Sequence, residues 1–240
     1  MIWLLAVSTA CYLFGSSWRL IFAAGIVSQS VYLLQRSLSV GRLPLLGPHD
    51  TLVFFALCIA VVALITSFTH SFHRLRWFMF SSGGIAGLFT LCALAFKPLN
   101  MPLPQILDTL WFELHVVLAF LSYALFVVGG LLCAAFLLRG ERAYLDIQFK
   151  CALVGWSFFS ASMVAGGIWG YYAWGTYWLW TPKELWTSIL WLFYALVLHI
   201  RLHKGACWDR AAAWLGIAGV AVMLFTYLGV SMLMKSSHSF

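Results

Sequence analysis

An all-α, polytopic membrane bundle of about eight transmembrane helices is the fold that this 240-residue sequence predicts, and three observations predict it. Hydrophobic residues make up 63% of the chain and charged ones only 9%, with a mean hydropathy of +0.95, far outside the balance of a soluble domain. Apolar runs of about 20 residues recur along the whole length, as helices crossing a ~30 Å hydrocarbon core require. The connections between the runs are short, and the alternating pattern of a membrane barrel is absent.

Taken in order, the expected spans are residues 2–14, 18–34, 52–68, 77–96, 111–138, 151–170, 185–203 and 211–234. The first run is short. It lacks a basic start and is followed at once by another span, so no removable signal peptide is expected. The loop 97–108, KPLNMPLPQILD, holds three of the six prolines and should be extended before a short amphipathic turn. The chain therefore reads as one integral membrane domain, 1–240, with a Trp-rich outer segment at 169–191.

The net charge of +7 does not indicate nucleic acid, because the basic residues fall in short loops where membrane orientation rules place them. Alternate loops divide them unequally. Nine lie on one side (Arg19, Arg74, Arg76, Arg139, Arg142, Lys150, Arg201, Lys204, Arg210) and five on the other (Arg36, Arg42, Lys97, Lys183, Lys235). The nine should face the cytoplasm, with both termini outside. The six cysteines form no CxxC pair and sit mostly inside apolar runs, as packing residues do.

Six of the thirteen tryptophans lie between Trp169 and Trp191, in a polar, glycine-containing stretch between two long apolar runs. Packing gives no reason for so much aromatic surface there, so a flat face for something large and apolar is expected. Trp169, Trp174, Tyr177, Trp178, Trp180 and Trp186 would form it. His115, at the start of the fifth span, and His238, after the eighth, reach the same membrane face under the charge-derived topology.

Ionisable groups are costly in a bilayer, so each such histidine needs a role or a bland account. Two neutral imidazoles brought to an aromatic floor suit axial ligation of haem iron. Interfacial histidines in an aromatic belt suit the same residues. Zinc is weaker, since no HxxxH, HExxH or Cys/His cluster is present. His199 lies about fourteen residues into the seventh span, ~20 Å from its outer end. There Arg201 and Lys204 could receive the propionates of a second haem, or His199 could be a hydrogen-bonded residue of the bundle. His49, His70, His73 and His203 sit in or beside loops and are assigned no function. Lys183 and Glu184 open the seventh span, where Pro182 suits the first turn and Glu184 suits the helix dipole. Lys183 could also meet a propionate of the outer haem.

These residues carry a resemblance. The stretch Trp174-Gly-Thr-Tyr-Trp-Leu-Trp-Thr-Pro-Lys-Glu184, followed by Trp186, Trp191, Tyr194 and Leu198-His199-Ile200-Arg201, resembles the tryptophan-rich WWD domain of the haem-handling proteins of cytochrome c biogenesis. It is closer to the CcsA/ResC branch of the system II pathway than to the CcmC branch. His115 and His238 are similar to that branch's two external histidines and His199 to its intramembrane one. The similarity is good from about residue 111 onward and limited to hydropathy, with a weakly similar Gly41–Pro44 loop, before it. Thr181 stands where the family has an acid, and Ser236-Ser237-His238 where it has Gly-Leu-His.

The resemblance implies that haem b is received near His199 and Arg201 and then presented outside between His115 and His238 over the tryptophans. There it is joined to the cysteines of an apocytochrome c CxxCH segment. The family works with a CcsB/ResB-type membrane partner, which usually supplies a second intramembrane histidine, and for a chain this short no large fused partner is expected. The chain would then be a subunit of a cytochrome c haem synthase in a bacterial cytoplasmic membrane, or in a thylakoid membrane, with its site facing outside. Two alternatives remain: a haem exporter or chaperone that forms no thioether bond, and a haem-free scaffold or transporter.

Overall fold

The computed structural model describes residues 2–15, 18–68, 76–203 and 205–233. Eight helices account for most of them: α1 Ile2–Phe14, α2 Arg19–Val40, α3 Gly47–Thr66, α4 Arg76–Ala93, α5 Leu110–Arg139, α6 Ala143–Trp174, α7 Pro182–His203 and α8 Asp209–Leu224. No strand occurs among the described residues. The chain divides into two compact units, Met1–Gln105 and Ile106–Phe240. By length and apolarity α3, α5, α6, α7 and the stretch Asp209–Gly229 can each cross a membrane. The 13 residues of α1 reach only ~20 Å. α2 is diluted by Arg19, Gln29 and Arg36, and α4 by Arg76 and a Ser-Ser-Gly-Gly run.

The first unit is α1 to α4 around a core that is more polar than its hydropathy suggests. Gly83 lets α4 approach α1 so closely that any Cβ there would strike the carbonyl oxygen of Tyr12. Gln29, fully buried on α2, accepts from the Tyr12 hydroxyl and donates to the Val53 carbonyl at 2.9 Å. The expected span 52–68 begins five residues early, at Gly47, because His49 and Asp50 are buried rather than looped. Asp50 pairs with Arg36 at 3.2 Å, and His49 sits between the Tyr32 hydroxyl at 2.7 Å and the Ala93 carbonyl at 2.9 Å. Arg36 and Arg42 also donate to the carbonyls of Leu99 and Met101, at 2.6 and 3.3 Å, and so tie down the proline-rich loop. Two of the five cations on the less basic side therefore have structural partners.

The second unit is built on the α5–α6 hairpin. Gly140, left-handed at φ 74°, closes α5, and α6 starts at Ala143, eight residues before the expected span. The early start places Asp146 within helix, where it anchors a ring of ion pairs. Arg201 bridges Asp209 at 2.8 Å and Asp146 at 3.1 Å, and Arg142 meets Asp209 at 2.6 Å. One end of the unit thus joins the starts of α6 and α8 to the end of α7. Above this ring the Phe126 and Tyr194 rings stack at 3.5 Å, with Phe159 and Leu132 buried around them. α8 runs into a π-helical turn, Phe225–Gly229, and a last turn, Val230–Leu233. α7 is peripheral: only 22% of its most apolar window is buried, against 67% in α5.

Candidate functional site

The opposite end of the second unit gathers the start of α5, the end of α6, the connecting segment 175–181 and the start of α7. Thr109 caps α5 by accepting the Phe112 N–H at 3.2 Å. His115 follows about one turn later, half-buried. Roughly 24 residues separate it from Arg139, or ~36 Å along the helix, which exceeds a ~30 Å hydrocarbon core and puts it at the interface.

Ser162 of α6 fixes this imidazole. Its backbone carbonyl lies 2.9 Å from Nδ1, and its hydroxyl donates to the His115 carbonyl at 2.8 Å. A carbonyl only accepts, so Nδ1 carries a proton, and in the neutral ring Nε2 keeps its lone pair. Such an imidazole is prepared to ligate a metal, because the hydrogen bond on one nitrogen sets the orientation of the other. Gly166, one turn further along α6, makes room for the ring. A Cβ there would come 2.6 Å from Nδ1. Lys183, in the first turn of α7, is close enough to act electrostatically on His115.

The aromatic residues separate into two groups. Trp169 is only 4% exposed; its indole donates to the Ile106 carbonyl at 2.7 Å and packs between Phe112 and Trp174. It supports the site from beneath and offers no open face. Trp174 and Trp178 are half-buried, and Trp186 packs on Phe225 at 4.5 Å. Tyr177 and Tyr171, by contrast, stack at 4.7 Å with both rings exposed. Trp180 is 69% exposed and stands edge-on to Trp178 at 6.4 Å. The segment folds back on α6, where Gly167 and Gly170 accommodate the carbonyls of Tyr177 and Thr176.

Thr181 and Glu184 form the start of α7 as a reciprocal cap. The Thr181 hydroxyl accepts the Glu184 N–H at 3.4 Å, and a Glu184 carboxylate oxygen accepts the Thr181 N–H at 2.9 Å. That is a capping box, with Pro182 at the first helical position. The Thr-x-x-Glu spacing of such a box is present in the sequence at 181–184 and adds to the dipole argument for Glu184. It also accounts for Thr181: threonine and aspartate both serve as N-caps. Trp180, just before the cap, holds φ at +57°, a conformation that costs a bulky residue about 1–2 kcal/mol. Ser162, Tyr171 and Tyr172 were also missed; only the two tyrosines, exposed beside the tryptophans, left any trace in the sequence.

The expected inner site divides. His199 is exposed on α7, its ring 4.4 Å from that of His203 one turn on. Arg201 points the other way, into the ring of ion pairs with Asp146 and Asp209, and is not brought alongside His199. His238, Lys204, His70 and His73 lie outside the described residues. Among those described, no group of three or more metal-ligating side chains occurs.

Comparison with known proteins follows the same lines. The family described as cytochrome C assembly protein matches residues 25–238. A protein called cytochrome c biogenesis protein CcsA from Chlamydomonas reinhardtii is 30% identical over 232 residues, covering 87% of this chain and 64% of its own. Its namesake from Mesostigma viride is 28% identical over 239 residues, with coverages of 82% and 77%. That of Prochlorococcus marinus strain MIT 9312 is 31% identical over 179 residues, with coverages of 59% and 57%. The match thus spans less than two thirds of the Chlamydomonas and Prochlorococcus relatives. A solved structure named cytochrome c heme lyase CcmF shares the fold, with a TM-score of 0.66 at 19% identity over 94% of this chain and 45% of that one.

Proposed function

Because this chain belongs to the cytochrome C assembly protein family, we propose that it takes part in attaching haem to apocytochrome c, holding haem as substrate at the end of the second unit that carries His115. The observation that carries this reading is the 2.9 Å approach of His115 Nδ1 to the Ser162 carbonyl, which in the neutral ring leaves the Nε2 lone pair for iron. The residues present fit a haem. Lys183, in the first turn of α7 at the same end of the unit as His115, suits a propionate, and Tyr171, Tyr177 and Trp180 are exposed aromatic faces that suit a porphyrin. Trp174, Trp178 and Trp186 back that surface, and Trp169 braces it.

His238 is the proposed second axial ligand. In support, Phe225 and Thr226 meet Trp186 near the start of α7, so α8 runs out towards the His115 end. Two neutral imidazoles would hold the iron until the client's own histidine displaces one. The haem supplies two vinyl groups. Each client cysteine adds across one of them, sulfur to the ring-side carbon and the thiol hydrogen to the outer carbon, so no external oxidant is consumed. The chain's part is to orient the haem and exclude competing ligands.

His199 is the proposed inner contact, with Arg201 as a brace for α7 rather than a propionate ligand. An ionisable side chain facing outward from a span needs a partner. Leu185, Ile189, Leu192 and Leu196 lie on the same outward side of α7 as His199, which favours docking of a second membrane protein, of the CcsB/ResB type by resemblance. The site would face outside in a bacterial cytoplasmic or a thylakoid membrane.

The test is spectroscopic. Protein purified from haem-replete cells should give the sharp reduced bands of bis-histidine haem, and these should weaken in His115→Ala and His238→Ala with partial rescue by imidazole. Colourless wild-type protein, or unchanged spectra in both variants, would sink the outer site. Covalent haem on a CxxCH client only when the partner is present would assign the synthase role; haem transfer without a bond would assign an exporter.

A further inference from the structure

Trp180 has no packing explanation for its backbone. It carries a large side chain at φ +57°, and that side chain is 69% exposed, so burial returns nothing for the strain. The groups that hold it are its neighbours. Glu184 Oε2 accepts the N–H of Leu179 and the N–H of Thr181, both at 2.9 Å, from the residues on either side of Trp180. A capping box requires only the second of these bonds. The first is additional. It draws the Leu179 amide to the same oxygen, and successive N–H groups converging on one anion are a mark of a chain with a left-handed residue in it.

The geometry points to Glu184 as a positioning residue that clamps the Leu179 and Thr181 amides, and thereby presets the Trp180 indole as a contact for the planar ligand of the outer site. This rests on the haem reading above, and it goes beyond a helix cap, because the clamp acts on the residue before the helix. Glu184 itself need not touch the ligand. The strain is retained because it aims an exposed ring, which Trp178 meets edge-on.

A double-mutant cycle tests this with two readouts, haem retained per protein after washing and the melting temperature of haem-free protein. Trp180→Gly removes both strain and indole. It should raise the melting temperature by ~2–4 °C while lowering haem retention about tenfold. Glu184→Ala should lower haem retention by a similar factor, and Glu184→Gln, which keeps an acceptor oxygen, should stay within about twofold of wild type. The double variant should retain as much haem as Trp180→Gly alone, because Glu184 acts through that ring. Full haem retention in Trp180→Gly, or multiplicative losses in the double variant, would overturn the assignment. Colourless wild-type protein would defeat the outer site itself. In that event amide exchange at Leu179 and Thr181, slow in wild type and Glu184→Gln but fast in Glu184→Ala, still decides whether the clamp exists.

Discussion

At the residue scale the decisive contacts are one-sided. Ser162 gives His115 its tautomer through a backbone carbonyl, which no substitution at 162 removes, so the sensitive neighbour is the glycine that makes room for the ring. Gly166→Ala should displace the imidazole and reduce haem retention several-fold, with the protein still folded by circular dichroism; undiminished retention would mean the ring has slack. Thr181 behaves differently. Thr181→Asp keeps a capping oxygen and should melt within a degree or two of wild type, whereas Thr181→Ala should cost about 1 kcal/mol, or ~2–4 °C. His115 stood out in the sequence because an ionisable group at the start of a span needs either a role or an interfacial account. Ser162 did not, because a serine in an apolar run carries no sign of which carbonyl will face a ring 47 positions away.

Among the elements, α7 is the one whose two faces have separate tasks. Its inner face ends on Arg201, held by Asp146 and Asp209; its outer face ends on His199 and His203. The sequence placed Arg201 beside His199 because they are two residues apart, yet two residues turn an α-helix by about 200°, so neighbours at that spacing diverge. Asp209 is nearly buried and serves two arginines. Asp209→Asn should destabilise the protein by about 2 kcal/mol, seen as a fall of several degrees in melting temperature, with little change in outer haem retention in whatever folds. An unchanged melting temperature would show the ring of ion pairs to be ornamental. The same ring explains the early start of α6: Arg142 and Asp146 read as loop charges, but a helix that leaves the hydrocarbon can carry paired charges at its start.

For the whole molecule, the membrane bundle was legible from hydropathy alone, and nine cations against five give the orientation still to be tested. The polar interior of the first unit was not legible, since Gln29, Arg36, His49 and Asp50 look like loop or interface residues until their partners are known. Cys207 offers a check on orientation. It is exposed in the short Ala206–Trp208 turn beside the ion pairs. In a variant with the other five cysteines replaced, an impermeant thiol reagent should label Cys207 only after the membrane is opened to the cytoplasmic side. Labelling in intact spheroplasts would invert the topology and place the His115 end in the cytoplasm.

The α5–α6 hairpin, with helices of 30 and 32 residues, is longer than the hydrocarbon it crosses. Held by ion pairs at the start of α6, it would act as a gauge rod. The height of His115 above the lipid is then set by whatever bilayer surrounds the rod. In short-chain lipid the imidazole and the exposed tyrosines stand clear in water. In long-chain lipid the same residues would sink into the headgroups, so under the proposed function the lipid itself would become a coordinate of how open the His115 end is to a soluble client.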